Sequence, residues 1–310
     1  MNKVVIILGP TGVGKSTASI LLAKELNTGI ISADSMQIYK GMDIGTAKPT
    51  EKERELVKHY MIDIVDPLES YSAGQYMQAV IRIIEGFQKD GNVPLIVGGT
   101  GLYIKALTRG IFNGPSCDPQ LRDELLLKEK KVKGTLYSYL NENDPDAAAT
   151  IGKNDIRRII RAIEVYLNSG EKISVLQKNF TKPLPYEFIK IGLSRERKEL
   201  YSIIDKRVDD MMDAGLIEEA ERVFAINPCR TPLQAIGYKE ILMHLNKELE
   251  KKETVRLIKR NTRRYAKRQY IWFRKEEGIQ WVDVTGLYSG QDIFAKIRDA
   301  LIKSCPELYL

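Results

Sequence analysis

The sequence contains few of the residues on which many catalytic and structural sites depend. Its 310 residues include only three cysteines, two histidines and two tryptophans. Cys117, Cys229 and Cys305 are scattered and form no C-x-x-C motif, which argues against a disulfide framework and against a structural zinc site. His59 and His244 stand apart, without a matching serine, cysteine or second histidine, so a histidine-based nucleophilic site has no support.

Long apolar segments are missing as well. No apolar run approaches the roughly 20 residues of a membrane-spanning helix, and the first predicted strand follows the N-terminus at once, so no signal peptide is expected. Hydrophobic residues make up 43% of the chain and charged residues 29%, which is ordinary for a globular protein. We therefore expect a cytoplasmic protein, and we expect it to be a monomer.

Acidic residues are scarce in one segment near the end of the chain. Residues 251–275 contain eleven lysines or arginines and one glutamate, a charge of +10 in a chain whose net charge is +7. Moderately apolar residues recur there every three or four positions, which predicts an amphipathic helix. The predicted inward stripe is Val255, Ile258, Thr262, Tyr265, Gln269 and Trp272. A solvated surface helix is the simple interpretation, but a surplus with so few acidic partners favours binding to a long polyanion.

A glycine-rich stretch near the start, GPTGVGKS, is the first feature that indicates chemistry. It fits the G-x-x-x-x-G-K-[ST] pattern of the P-loop, and it lies between a predicted strand, 3–8, and a predicted helix, 15–26. Its backbone N–H groups and the helix N-terminus would face an anion. Lys15 would add a positive charge and Ser16 a hydroxyl ligand for Mg²⁺. The predicted phosphate-binding residues are Gly9, Pro10, Thr11, Gly12, Val13, Gly14, Lys15 and Ser16.

Strand and helix patterns alternate over the first 110 residues or so, which predicts an α/β fold: a P-loop NTPase-like parallel sheet flanked by helices. The predicted strands are 3–8, 29–33, 60–65, 93–98, 188–193 and 279–284. Between residues 113 and 185 only helical patterns occur, and Asp118 followed by Pro119 is a typical helix start. We therefore predict an all-helical insertion domain, 113–185, within a catalytic core formed by 1–112 and 186–310.

Two polar residues follow predicted strands at the edge of the sheet where ligands of such folds bind. Asp34 follows the second strand, and Thr100 follows the fourth, where a P-loop NTPase would carry a Walker-B carboxylate. Asp34 could hold Mg²⁺ through water or accept a proton from a nucleophile, or it could only cap the following turn. Thr100 could face a ligand or cap the next helix.

Arginines form a second basic cluster within the predicted insertion. Arg157, Arg158 and Arg161 lie on nearly adjacent faces of one predicted helix. They could grip a folded RNA together with the segment 251–275, which would make binding strongly dependent on salt. Some of them could instead pair with Glu164 within the same helix.

Six stretches of the sequence resemble, in order and spacing, those of the bacterial-type tRNA dimethylallyltransferases, the IPP transferase family. They are GPTGVGKS, DSMQIYKGMDIGTAKP, GGTGLY, NDIRRIIRAIEV, QAIGYKE and TRRYAKRQYIWFR. The resemblance extends from Val4 to about Arg274. It implies transfer of a dimethylallyl group from dimethylallyl diphosphate to the N6 amine of adenosine 37, immediately 3′ of the tRNA anticodon, with release of diphosphate.

The resemblance also implies a role for each candidate residue. The P-loop stretch from Gly9 to Ser16 would hold the diphosphate, with Mg²⁺ near Ser16, and Lys15, Asp34 and Thr100 would act in catalysis, Asp34 as general base. The residues expected to contact the tRNA are Asp34, Ser35, Met36, Gln37, Thr100, Arg122, Arg157, Arg158, Ile159, Ile160 and Arg161.

Three other functions fit part of the sequence. A P-loop small-molecule kinase, with Arg195 and Arg197 as lid arginines, would explain the P-loop but not the basic segment. A prenyltransferase acting on free adenine nucleotides would leave both the insertion and the basic segment unexplained. An RNA-binding module with a structural nucleotide site would give Asp34 no task.

Overall fold

The structure, a computed structural model, describes residues 2–112 and 114–309; residue 113, the predicted start of the insertion, lies outside them. A six-stranded sheet forms the centre of the fold, with strand order β3-β2-β4-β1-β5-β6, and every neighbouring pair is parallel. The strands are β1 Lys3–Leu8, β2 Ile30–Ala33, β3 His59–Tyr60, β4 Leu95–Gly98, β5 Glu187–Ser194 and β6 Ile279–Asp283. The predicted α/β class and parallel sheet are confirmed.

The helices that the structure describes flank this sheet or form a separate group. They are α1 Lys15–Glu25, α2 Glu51–Leu56, α3 Ala73–Lys89, α4 Gly101–Thr108, α5 Pro119–Lys131, α6 Thr135–Asn143, α7 Pro145–Thr150, α8 Ile156–Ser169, α9 Ile173–Phe180, α10 Arg197–Asp213, α11 Leu216–Ala225, α12 Arg230–Leu233, α13 Tyr238–Leu245, α14 Lys251–Phe273 and α15 Gly290–Ser304, followed by a 3₁₀ turn, Pro306–Leu308. None of them combines the length and the hydrophobicity needed to cross a bilayer.

Strand β1 lies in the middle of the sheet because its sequence is apolar on both faces. Val4 to Leu8 are completely buried, and Ile6 aligns with Ile96 of β4 on one side and Lys190 of β5 on the other. A parallel strand covered on both faces reads as a continuous apolar run rather than an alternating one. This burial fixes the carboxyl end of β1, from which the P-loop departs.

The chain divides into two compact units. Met1–Ile104 together with Pro185–Leu310 forms the sheet unit, and Lys105–Leu184 forms the helical unit. The boundary falls inside α4, earlier than the predicted residue 113, and the uninterrupted helix leaves no break in the sequence pattern at that point. In the helical unit, Ile159 and Ile163 of α8 pack with apolar residues of α5 and α6. Asp118 caps α5 through the N–H of Leu121 (3.0 Å), as its position before Pro119 predicts.

Two sequence predictions were wrong in detail. The predicted strand 60–65 is only the two-residue β3, because Met61 and Asp63 take left-handed φ angles of 63° and 55° that end the extended backbone. The predicted inward stripe of α14 is only partly correct. The helix buries Thr254, Ile258, Ala266, Gln269 and Phe273, so two predicted residues, Ile258 and Gln269, are buried, whereas Trp272 is 43% exposed.

Candidate active site

The P-loop forms the turn between β1 and α1, and its glycines allow it to follow a tight path. Gly9, Gly12 and Gly14 have φ angles of 151°, 80° and 107°, in the region that favours glycine. A Cβ at Gly9 would lie 2.8 Å from the carbonyl oxygen of Leu193 in β5, so a larger residue would not fit there. Gly14 leads directly into α1, whose N-terminus carries the positive end of the helix dipole.

Lys15 folds its side chain back over this loop. Its Nζ donates hydrogen bonds to the carbonyl oxygens of Gly9 (2.9 Å) and Pro10 (2.8 Å). Burial lowers the pKa of Lys15 to about 7; the positive charge of Arg207 acts in the same direction, and Asp34 acts against it. A bound anion would favour the protonated ammonium, so the site is electrostatically suited to a strongly negative group.

Asp34 follows β2 and lines the same cavity as the P-loop. Its Oδ1 accepts hydrogen bonds from the backbone N–H groups of Met36 (2.8 Å) and Gln37 (3.3 Å), which is the turn-capping geometry considered from the sequence. Both bonds end on the same carboxylate oxygen. The turn therefore holds the carboxylate in a fixed position at the cavity wall.

Thr100 connects the loop after β4 with the turn that contains Asp34. Its Oγ1 accepts a hydrogen bond from the backbone N–H of Ser35 (3.0 Å) and lies 3.4 Å from the Ser35 hydroxyl. Its carbonyl accepts from the N–H of Ile104 (3.2 Å), so the backbone of Thr100 begins α4 while its side chain reaches the neighbouring loop. The two predicted site loops are thus in direct contact.

Helix α14 supplies two polar residues, Gln269 and Tyr265, whose role in the site was not predicted from the sequence. The Gln269 side chain accepts a hydrogen bond from the N–H of Thr11 (2.9 Å) and donates one to the carbonyl of Gly99 (2.8 Å), which joins the P-loop to the β4 loop. Tyr265, one turn earlier, interacts with Thr100 and Gln269, and burial and the negative Asp34 raise the pKa of its hydroxyl. Spacing identified both only as members of a buried stripe.

These loops surround a cavity of about 590 Å³ in the sheet unit. Its polar lining includes Lys15, Ser16, Asp34 and Arg207. Its apolar lining residues include Ile203, Ile204, Val208, Met211, Leu216, Ile236 and Ile258. A mixed lining of this kind suits a ligand with one charged and one hydrocarbon end.

Arg207 of α10 is a cation of this cavity that the sequence analysis did not identify. Burial lowers the pKa of Arg207, with Asp34 acting in the opposite direction. Among residues 2–112 and 114–309, no carboxylate forms an ion pair with its guanidinium. A largely buried arginine without an internal partner is costly unless a ligand supplies the anion, so Arg207 and the P-loop together indicate an anion site.

A buried carboxylate anchors the loop that follows the Asp34 turn. Glu219 of α11 accepts hydrogen bonds from the backbone N–H groups of Asp43 (2.9 Å), Ile44 (2.8 Å) and Gly45 (2.9 Å). The next residues, Thr46 and Ala47, accept from the side-chain amide of Gln37 at 3.2 Å each. The predicted tRNA-contacting residue Gln37 is therefore held by a loop that is itself fixed from α11.

The predicted magnesium ligand, Ser16, lies exposed at the start of α1 and lines the cavity together with Asp34. In the described part of the chain, no three histidines, cysteines or carboxylates are grouped as a metal cage. One hydroxyl and one carboxylate are a donor set that suits Mg²⁺ only when phosphate oxygens and water complete its coordination.

The predicted tRNA-binding arginines of the helical unit differ in their surroundings. Arg122 donates to both oxygens of Glu164 at 2.7 Å, and Arg161 donates to Glu164 at 2.5 Å. Arg158 pairs with Asp155 (2.6 Å), and Arg157 is exposed and forms no ion pair with any described residue. The pairing with Glu164 considered from the sequence is present.

The two isoleucines of the predicted tRNA-binding run have a different environment from the arginines. Ile159 and Ile160 are buried in the core of the helical unit. Their side chains therefore stabilise that unit, whereas Arg157 and Arg158 lie on the exposed surface of α8.

Part of the positive charge on α14 is also balanced internally. Arg256 pairs with Glu253, Lys259 with Asp209 and Arg263 with Asp205. The exposed cations of α14 that form no ion pair with a described residue include Arg264, Lys267 and Arg268. The surplus that the sequence indicated is therefore real but smaller than the formal charge.

Arg195, the lid arginine of the kinase alternative, is not directed to a ligand. It is buried, pairs with Glu199 and donates from Nη2 to the carbonyl of Leu287 (2.6 Å). Arg197 lies over the ring of Tyr201, 5.2 Å from its centroid. These contacts give both arginines structural roles.

The chain is similar to known proteins in both sequence and structure. The family model described as IPP transferase matches residues 37–276. A tRNA dimethylallyltransferase of Thermodesulfovibrio yellowstonii is 52% identical over 308 residues, covering 97% of this chain and 98% of that protein. A crystal structure of a Bacillus halodurans tRNA isopentenylpyrophosphate transferase aligns over 100% of both chains with 38% identity and a TM-score of 0.71. A eukaryotic dimethylallyltransferase acting on tRNA aligns with a TM-score of 0.83 and 31% identity, covering 98% of this chain and 79% of that one.

Proposed function

The chain belongs to the IPP transferase family, and from this premise we propose that it is a tRNA dimethylallyltransferase. It transfers the dimethylallyl group of dimethylallyl diphosphate to the N6 amine of adenosine 37, next to the anticodon, and forms N6-isopentenyladenosine. The observation that carries the proposal is that one cavity is lined by the P-loop, by Asp34 and by Arg207, which has no ion-pair partner among the described residues. An anion site and a carboxylate that could accept a proton thus lie in one cavity.

The donor substrate fits the two kinds of cavity lining. The P-loop N–H groups, Lys15 and Arg207 are suited to the diphosphate, because charge-assisted hydrogen bonds to phosphate are strong. The apolar side chains of α10, such as Ile203 and Val208, offer a surface for the hydrocarbon. Burying its five carbons at ~0.8 kcal/mol per carbon would contribute about 4 kcal/mol to binding.

The acceptor reaction assigns Asp34 its role as general base. The N6 lone pair attacks C1 of the dimethylallyl group, the C1–O bond breaks, and diphosphate leaves with the bonding electrons. The proton lost by N6 passes to the Asp34 carboxylate, whose position is fixed by the turn that it caps. Negative charge grows on the diphosphate as it leaves, where Lys15 and the helix N-terminus stabilise it.

Some of the residues predicted to contact the tRNA lie on the loops that carry Asp34 and Thr100. Ser35, Met36 and Gln37 share the turn of Asp34, and Thr100 is bonded to that turn, so these residues are suited to holding the displaced adenine. Removing a base from its stack is easier in a loop than in a duplex. In the helical unit, Arg157 and the exposed portions of Arg122, Arg158 and Arg161 are suited to the backbone of the anticodon stem-loop.

Mg²⁺ fits the donor set near the P-loop. Ser16 would hold it together with phosphate oxygens and water. When bound, it supplies charge neutralisation to the departing diphosphate. We propose further that the enzyme works as a monomer in the cytoplasm.

The test is to incubate the purified protein with Mg²⁺ and radiolabelled dimethylallyl diphosphate, adding either unmodified tRNA or AMP. We expect label in the tRNA, at adenosine 37, and none in AMP. A tRNA in which adenosine 37 is replaced by guanosine is the matched control. Label in AMP would favour the adenine-nucleotide prenyltransferase instead, and phosphoryl transfer from ATP without any prenyl transfer would favour a kinase.

A further inference from the structure

The exposed indole of Trp272 has no role in the function described so far. Trp272 lies near the C-terminus of α14 and is 43% exposed, although helical spacing predicts that it points inward. An exposed tryptophan offers a large, rigid aromatic surface, and this residue type is enriched at binding interfaces. Its position relative to the cavity decides what it could bind.

Trp272 lies directly against the loop that carries Thr100. A Cβ on Gly101 would lie 2.4 Å from Cδ1 and 2.5 Å from Nε1 of the indole, so only glycine allows this approach. Gly101 is the residue after Thr100, whose hydroxyl bonds to the turn of Asp34. The indole therefore borders the part of the site assigned to the displaced adenine.

The surroundings of Trp272 favour an anionic partner. Arg268 lies one turn earlier on α14, is exposed and lines the cavity, and Arg264 and Lys267 on the same helix are exposed cations. Tyr265 and Gln269 face the cavity from the same helix. One helix thus leads from the cavity wall to an exposed aromatic ring among positive charges, the combination that binds single-stranded nucleic acid.

Resting on the function proposed above, we propose that the Trp272 indole stacks on a base of the anticodon loop that neighbours the displaced adenosine. When that adenosine leaves the loop, the adjacent base loses its stacking partner. The indole replaces this partner, and Arg268 lies close to the backbone phosphates. Trp272 therefore helps to hold the loop open around the target nucleotide.

The chain is well suited to a direct test because it contains only two tryptophans. Trp281 lies on β6, with its ring 6.2 Å from that of Tyr270. The variant Trp281→Phe leaves Trp272 as the single fluorophore, and Trp272→Phe leaves Trp281 as the matched control. We would titrate each with a synthetic unmodified anticodon stem-loop RNA and record tryptophan emission. Quenching is expected in Trp281→Phe and little change in Trp272→Phe.

A second measurement ties the signal to the neighbouring base. Trp272→Ala should weaken binding of the stem-loop about tenfold, as loss of one base–aromatic stack does, while Trp272→Tyr recovers most of the affinity. On a stem-loop with abasic sites on both sides of adenosine 37, wild type and Trp272→Ala should bind alike. Thermal unfolding of each variant by circular dichroism checks that the fold is kept.

The outcomes separate this inference from the proposed function. RNA that is bound and prenylated, with no quenching in Trp281→Phe or with an equal loss of affinity on the abasic RNA, would overturn the stacking inference alone. No prenylation of any RNA by the wild-type protein would overturn the proposed function and, with it, this inference.

Discussion

Arginines occur in opposite environments in the two units of this protein. In the helical unit, Arg122 and Arg161 both end on the carboxylate of Glu164, which is completely buried. In the sheet unit, Arg207 lines a cavity with Lys15 and has no ion-pair partner among the described residues. A carboxylate within the protein thus balances the charges of Arg122 and Arg161, whereas no described carboxylate pairs with Arg207.

This difference shows how a structural cation can be distinguished from one that awaits a ligand. Removing a charge from water is costly, and the cost is recovered only when an opposite charge and hydrogen bonds are supplied. Glu164 supplies them to Arg122 and Arg161 from within the fold. For Arg207 an external anion must do so, and diphosphate is the anion that the proposed function provides.

The largest effect is expected at the carboxylate of the cavity. Asp34→Asn keeps an oxygen that can accept from Met36 and Gln37, so the turn should persist, but it removes the general base. We expect turnover to fall about 10²- to 10⁴-fold with unchanged affinity for tRNA, measured by single-turnover prenylation and filter binding. Turnover within a few-fold of wild type, or a parallel loss of tRNA binding, would contradict the assignment.

The second-largest effect is expected at Arg207. Arg207→Ala should weaken binding of inorganic diphosphate about 10- to 100-fold, because a charge-assisted contact is lost. Isothermal titration calorimetry with diphosphate and Mg²⁺ measures this directly. Lys206→Ala, the exposed neighbour on the same helix, is the control and should bind normally; equal losses in both would mean that only the general charge matters.

In the helical unit, the pairing of Glu164 with its two arginines is expected to contribute to stability in a pH-dependent way. Burial alone would raise the pKa of Glu164, but hydrogen bonds from Arg122, the Asp118 N–H and Arg161 bring it below its ordinary value of 4.5. Because the folded pKa is the lower one, this contribution is complete above pH 4.5 or so and is lost as the pH falls toward the folded pKa.

Glu164→Gln should therefore destabilise the helical unit near neutral pH and make its stability less sensitive to acid. We expect about 2 kcal/mol of lost stability, below the usual cost of breaking a buried pair because both arginines are about one-third exposed. Hydrogen exchange of the α8 amides between pH 4 and 7 measures it. Diphosphate binding should be unchanged, and an unaltered exchange profile would show that the pairing contributes nothing.

The smallest effect is expected at Arg157, the predicted tRNA-binding arginine of α8 that has no ion pair with a described residue. Arg157→Ala should weaken tRNA binding a few-fold and reduce the slope of log affinity against log salt by about one. Arg161→Ala, which mainly removes a partner of Glu164, should lower stability and leave the salt slope nearly unchanged. A clear reduction of the salt slope in Arg161→Ala, without a loss of stability, would mean that this ion pair opens when tRNA binds.

The P-loop and the positions of Asp34 and Thr100 at the strand ends could be predicted because each depends on a short stretch of sequence. GPTGVGKS specifies its own turn, and an apolar run specifies the strand before it. The predicted strand 60–65 and the stripe of α14 were inaccurate for the opposite reason. Left-handed backbone at Met61 and Asp63, and the packing of Phe273 rather than Trp272, depend on neighbours elsewhere in the chain.

The sequence by itself thus determined the parallel sheet, the phosphate-binding turn and the carboxylate beside it, since these follow from local patterns of glycine, apolar residues and strand ends. Only the tertiary structure decided which charged and polar side chains already have a partner within the protein. Glu164 meets Arg122, Asp205 meets Arg263, and Gln269 bridges Thr11 and Gly99. These partners are far apart in the chain, and an ion pair depends on distance in space, which local sequence does not encode.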